Sequence, residues 1–313
     1  MNFLKIIIFL IIAVGLAIYF LGQTPTLFSD LKGKRFTPIS SVSGPAAKYT
    51  EPQSITPQTP QVPFAPVVYL PEVPDYRIPA GFKREQLSPY FDKIRISSAN
   101  YSSNAAYPSE IRLYSYLSSS NKGDFINISG WKIRNNYSEV IIPQAVDIYE
   151  PSGVVPEKDI ILSAENNGSY YIILYSNKSA LGRNIRLNKC IGYLENSYSF
   201  NPALSKNCPS IPRQDISNLS GECQNYIYSL GSCGAVNTSF YNTLSGTSDG
   251  NACRQFLNTI GTYGSCFSKY RYEKDFLSNE YRLWINQDLG IDQFHDRLRL
   301  FDRSGLLVSE YIY

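Results

Sequence analysis

The stretch Ile126-Asn127-Ile128-Ser129-Gly130-Trp131-Lys132-Ile133 sets apolar residues in alternation around a Ser-Gly pair, the pattern of a half-buried strand with a tight entry. Ser129 and Gly130 tighten the backbone, and Trp131 has the bulk to fill the space between two sheets. Gly130 and Trp131 are therefore read as structural core positions rather than as a ligand platform. Working outward, similar short runs recur at Phe91 to Ser97, Glu110 to Leu117, Ile126 to Arg134, Val140 to Tyr149, Asp159 to Leu162, Ser169 to Tyr175 and Ile185 to Tyr193. After a break come Tyr281 to Ile285, Arg297 to Phe301 and Leu306 to Tyr313. Asp302-Arg303-Ser304-Gly305, between the last two, fits a type I turn closed by a left-handed glycine. Many short strands, frequent turn residues and no interleaved helices predict a mainly β chain folded as a β-sandwich.

The break, Asp215 to Tyr272, has a helical texture. Ile216, Cys223, Ile227 and Leu230 follow one helical pattern, and Cys253, Phe256, Leu257 and Ile260 follow another, which predicts two short helices. Ser220-Gly221-Glu222-Cys223 and Ser248-Asp249-Gly250-Asn251 offer caps, while Gly231 and Gly261 suit the stops. All six cysteines, Cys190, Cys208, Cys223, Cys233, Cys253 and Cys266, fall within 77 residues that overlap this segment, an even set that reads as a disulfide framework in an oxidising compartment. Zinc is the rival, but no Cys-x-x-Cys pair occurs and the single histidine, His295, lies outside the cluster. An antiparallel helical hairpin would be closed by nested pairs, Cys223 with Cys266 and Cys233 with Cys253, leaving Cys190 with Cys208. Local pairs, Cys223 with Cys233 and Cys253 with Cys266, are the main alternative.

At the amino terminus, Phe3 to Leu21 is apolar apart from Lys5, long enough for a helix of about 28 Å that spans a bilayer. The competing reading, a cleaved signal peptide, lacks its small-x-small site, since the run ends Ala17-Ile18-Tyr19-Phe20-Leu21. Residues 36 to 80 then hold ten prolines among Ser, Thr and Gln, an extended tether whose reach has an upper bound of about 140 Å. The chain thus divides into a transmembrane anchor (1–22), a juxtamembrane and Pro-rich linker (23–80), a first sandwich part (81–205), a Cys-rich helical insertion (206–275) and closing strands (276–313).

With 29 Lys and Arg against 26 Asp and Glu, the net charge of +3 provides no basic surface of the kind nucleic acid requires. Sparse charge and 25 tyrosines suit a β-rich extracytoplasmic protein. Seven Asn-x-Ser/Thr triplets, at Asn100, Asn127, Asn136, Asn167, Asn177, Asn218 and Asn237, arise readily by chance in an Asn- and Ser-rich chain.

The run Ile126 to Ile133, preceded by Glu110-Ile-Arg-Leu-Tyr114 and closed by Leu298-Arg-Leu-Phe-Asp302-Arg-Ser-Gly305-Leu-Leu-Val308, resembles the lamin tail domain over residues 82–205 and 276–313. The resemblance implies an immunoglobulin-like β-sandwich of the type found in nuclear lamins and in bacterial surface proteins, serving as a binding or structural module. The cysteine-bearing insertion departs from that pattern.

Catalytic candidates are thin. His295 stands beside Asp292 and Asp296 without a nucleophile elbow, and Glu157 with Asp159 or Asp288 with Asp292 are close in sequence as solvated loop residues are. Asn286, Asp288 and Asp292 are the residues a weak calcium site would use. No catalytic, cofactor or metal residue is assigned. The expectation is a non-catalytic surface module, single-pass in the membrane, whose extracytoplasmic part binds a protein or an envelope polymer. Its contacts are expected on the insertion or the sandwich loops, unless the insertion only covers a sheet. The alternative is a carbohydrate-binding module, which requires a coplanar exposed row among Tyr101, Tyr107, Tyr114, Tyr116, Tyr170 and Tyr171.

Overall fold

Alternating burial along the chain produces two main sheets in a computed structural model that describes residues 73–313, apart from 105, 118–124, 152–154, 165–167, 245, 293 and 295. These residues belong to Phe64–Tyr313, the second of the two units into which the chain divides. The anchor and most of the Pro-rich linker lie outside the described residues. Among the described residues no helix is long and apolar enough to cross a membrane.

The first sheet has five strands in the order β1 (Ile94–Asn100), β2 (Glu110–Leu117), β7 (Gly168–Tyr175), β9 (Leu277–Trp284) and β8 (Ile185–Asn188). The second has four, β11 (Leu307–Ile312), β10 (Arg297–Phe301), β4 (Lys132–Arg134) and β5 (Glu139–Ile141), and β3 (Phe125–Asn127) pairs with β6 (Ile161–Ser163) apart from both. Pairing is antiparallel except between β7 and β9, which run parallel from Tyr171 opposite Glu280 to Tyr175 opposite Trp284. On β2 the inward residues are Ile111, Leu113 and Leu117, and on β10 they are Leu298 and Leu300. With Trp131, Ile133, Val140, Ile172, Leu174, Leu283 and Val308 they form one buried cluster drawn from both sheets. Each such side chain contributes roughly 1.5–3 kcal/mol on leaving water. The chain is therefore mainly sheet, closed on one shared core.

Several boundaries depart from the alternation. Ile126 to Arg134 is not one strand, because Gly130, at φ 78°, turns the backbone between β3 and β4. Before the turn Ile128 N–H donates to Ile160 C=O (3.0 Å), and after it Ile142 N–H donates to Trp131 C=O (2.8 Å), so the chain changes pairing partners at Ser-Gly. The run from Val140 stops at Ile141, ahead of Pro143, which has no N–H to give a ladder. Ile185 to Tyr193 stops at Asn188, whose Oδ1 accepts from Cys190 N–H (2.9 Å) and turns the chain into a 3₁₀ turn, Ile191–Asn196. The Asp302 to Gly305 turn forms as expected, with Gly305 N–H donating to Asp302 C=O at 3.0 Å.

From Asn188 the chain leaves β8, and it returns to β9 at Leu277, directly opposite. Lys189 N–H donating to Phe276 C=O (3.0 Å) closes the base of this excursion. Among its described residues five α-helices stand rather than the expected two: α1 (Arg213–Ile216), α2 (Gly221–Ser229), α3 (Thr238–Thr243), α4 (Ser248–Leu257) and α5 (Tyr263–Tyr270). Two of the three extra starts follow from side-chain caps, since Asn237 accepts from Ser239 N–H (2.9 Å) and Thr262 from Ser265 N–H (3.1 Å), whereas α1 starts after Pro212 without one. The α4 cap is Thr247, one residue ahead of the expected Ser248.

The excursion has two apolar clusters of its own. In one, Ile191, Leu194, Phe200, Tyr263, Phe267 and Phe276 cover Ile173, Tyr175, Leu187 and Trp284, which lie on the face of the five-stranded sheet turned away from the shared core. Phe200 and Trp284 meet with ring centroids 5.8 Å apart. In the other, Ile216, Leu219, Cys223, Ile227, Leu244, Cys253 and Leu257 pack on one another without a sheet residue. The excursion is thus a cover that carries an outer lobe.

Candidate functional site

Disulfides hold the cover and lobe together. Cys190 pairs with Cys266 (Cα–Cα 5.7 Å), Cys208 with Cys233 (5.2 Å) and Cys223 with Cys253 (5.9 Å), and no cysteine is free. Both the nested and the local pairings are corrected. In a two-helix hairpin Cys223 and Cys233 would share one helix, but α2 ends at Ser229, Gly231 turns the chain at φ 67°, and Cys233 lies beyond it at φ 57°. Cys233 therefore faces the entering strap at Cys208, while Cys223 on α2 meets Cys253 on α4 inside the lobe. Cys266 on α5 closes the cover onto Cys190.

Where cover and lobe meet, the segment Cys208-Pro209-Ser210-Ile211-Pro212 crosses as a strap without helix or strand. A groove of about 470 Å³ runs along it, lined by Tyr193, Pro209, Ile211, Arg213 and Tyr228 among others. A recess of about 110 Å³ shares Tyr193, Pro209, Ile211 and Gly261 and adds Phe256 and Tyr270. Three glycines, Gly231, Gly234 and Gly261, contribute bare backbone to the larger groove. At Gly234 a Cβ would stand 1.9 Å from Leu230 C=O, so no side chain fits there.

The charges are few. In the recess Lys269 Nζ meets Asp215 Oδ2 at 2.7 Å, and that hydrogen bond holds the ammonium above its usual range. In the larger groove Arg213 is the one charged lining residue, exposed and without an ion partner among the described residues. The larger groove thus combines aromatic rings, glycine backbone and one cation without an ion partner among the described residues. Sequence reasoning singled out Cys208, Ile227, Leu230, Gly231 and Gly261 of this lining, but as a staple, helix positions and helix stops and not as parts of a groove. The available signal was the pair Pro209 and Pro212 after Cys208, which forbids a helix and extends the strap.

The other singled-out residues have structural partners. Trp131 is buried at 2% exposure, with Tyr90 at 5.7 Å between centroids. Above Gly130 lies Arg303, whose Nε donates to Ser129 C=O (2.6 Å) and whose Nη2 meets Asp159 Oδ2 (2.7 Å). Asn127 Nδ2 and Gln144 Nε2 also donate to Asp159, at 2.6 and 2.8 Å. Glu157 accepts from Asn184 N–H (2.7 Å), so neither carboxylate of that pair is idle. Asp288 and Asp292 accept from Gly290 and Phe294 N–H, both at 2.9 Å, and Asp296 accepts from Asn135 Nδ2 at 2.9 Å. His295 lies outside the described residues, and among the described residues no group of three or more His, Cys, Asp or Glu gathers as a metal would require.

Of the tyrosines, Tyr170 is buried, whereas Tyr101, Tyr107, Tyr116 and Tyr171 are exposed. Tyr114 and Tyr171 are cross-strand neighbours with rings tilted by 55°, so this pair is not coplanar. Comparison with known proteins finds no family model, no curated protein and no solved structure that matches this chain.

Proposed function

We propose that this chain is a non-catalytic interaction module of the cell surface, anchored in the membrane by Met1–Leu21, carried on the Pro-rich linker and displayed outside the cytoplasm. Its two sheets are read as an immunoglobulin-like sandwich of lamin tail type, with Trp131 behind the Ser-Gly turn as its central core residue. Three disulfides among six cysteines support an oxidising compartment. The observation that carries the reading is the outer lobe. Covering the sheet takes only the first of the excursion's clusters, and the second builds a stapled wall beside an open aromatic groove. Loops and insertions on a rigid sandwich are a common place for recognition, and staples lower the ordering cost of binding.

The test is capture on the immobilised unit 64–313, offered solubilised envelope proteins in one arm and a glycan panel in the other. Specific retention of an envelope protein or polymer is the expected result. Retention of soluble sugars through the exposed tyrosines would favour the carbohydrate-binding alternative, and turnover of a retained polymer would remove the non-catalytic reading.

A further inference from the structure

We propose that the groove beside the strap takes an extended peptide carrying a carboxylate next to apolar side chains. This inference rests on the reading of the lobe as a recognition element and names the chemistry of its partner.

The strap is the main support. Ser210 and Ile211 both line the groove and make no backbone hydrogen bond with any described residue, and Ser210 is exposed while Ile211 is half-buried. The stretch lies between two prolines, and the second, Pro212, is itself extended at φ −61° and ψ 139°, while a following proline biases Ile211 toward extended backbone. An unpaired extended backbone is a template on which another extended chain adds main-chain hydrogen bonds, with pockets for alternate side chains giving specificity. Two such pockets border the strap, the groove and the recess, which share Tyr193, Pro209 and Ile211.

Charge selects among peptides. Pro212 leads directly into Arg213, and among the described residues no carboxylate lines the larger groove. The nearby Asp215 is already engaged by Lys269. A peptide with Asp, Glu or a free carboxyl end satisfies the guanidinium, whereas a basic peptide adds repulsion. The template is also fixed in place. Cys208, at the start of the strap, is tied to Cys233, and its N–H donates to Ser232 Oγ at 3.0 Å. Little conformational freedom remains to be lost on binding.

The experiment is selection of a phage-displayed library of random linear decapeptides on the immobilised full chain in detergent micelles, followed by titration of the enriched peptides. Enrichment of acidic residues beside apolar ones is expected. Arg213→Glu should weaken these peptides about tenfold or more, the loss of a charge-assisted contact. Ser210→Pro, which removes one open N–H, should weaken them without altering the thermal midpoint. Should that variant misfold, a peptide N-methylated at alternate amides tests the same pairing from the other side. Tyr107→Ser, outside the groove lining, should change nothing. Absence of enrichment, enrichment of basic sequences, or binding indifferent to both Arg213→Glu and N-methylation overturns the inference. If envelope capture is lost on removing the lobe yet no peptide is enriched, the functional reading stands and the peptide assignment falls.

Discussion

Asp159 ties the Ser129-Gly130 turn to the β10–β11 hairpin, and its titration follows from that position. Hydrogen bonds from Asn127, Gln144 and Arg303 hold its carboxyl well below the usual carboxylate range. A depressed native value means that the folded state binds this proton more weakly than the unfolded chain does. The stabilisation is therefore full above the unfolded value, about 3.9, and is lost as pH falls from there through the native one. Denaturant midpoints of the wild type should drop more steeply on acidification below about pH 5 than those of Asp159→Asn; parallel curves would deny Asp159 this role. Trp131→Ala should cost about 3–5 kcal/mol, measured in the same way, as loss of a buried indole does. Trp131 was legible from sequence because a lone large aromatic behind a Ser-Gly pair has few other uses. Arg303 was not, since its partners Ser129 and Asp159 are far away in the chain and only the fold brings them together.

Between elements, strand existence was more legible than strand limits. Glu110 to Leu117 formed as read, because its alternation meets no breaker. The run around Gly130 broke because the two halves pair with different strands, a tertiary choice that local pattern does not contain. Helix number was underestimated for a related reason: Asn237 and Thr262 are weak signals until their side chains are seen capping. Thr247→Ala should cost about 1 kcal/mol of lobe stability, measured by hydrogen exchange of α4 amides. The disulfides separate cover from lobe. Replacing Cys223 and Cys253 by Ser should loosen only the lobe, by about 2–4 kcal/mol, whereas replacing Cys190 and Cys266 should expose the sheet face around Trp284 and lower global stability. Exchange protection lost from β8 and β9 in the first variant would contradict that division. Non-reducing peptide mapping checks the three pairings directly.

For the whole molecule, composition and cysteine clustering made the mainly sheet, disulfide-stapled character legible, while the groove was not, because it exists only where the strap, the end of α2 and Tyr193 converge. The protein is expected to fractionate with membranes retaining Met1 to Leu21, checked by mass spectrometry of the amino terminus, and protease added to intact cells should release a soluble fragment cut within the linker. The central claim is that partner recognition requires the lobe and that the cover alone does not suffice. Ile211 and Gly261 line the same groove, so a Gly-Ser linker can replace Pro212 to Gly261, with Cys208→Ser removing the orphaned thiol and Cys190 still bound to Cys266. This leaves the cluster that covers Trp284 in place and takes away the lobe's own core. The deciding measurement is envelope capture by this variant beside the wild type, with near-ultraviolet circular dichroism reporting on the retained core. A folded variant that no longer captures the partner is the expected result, and a folded variant that captures it undiminished would contradict the claim.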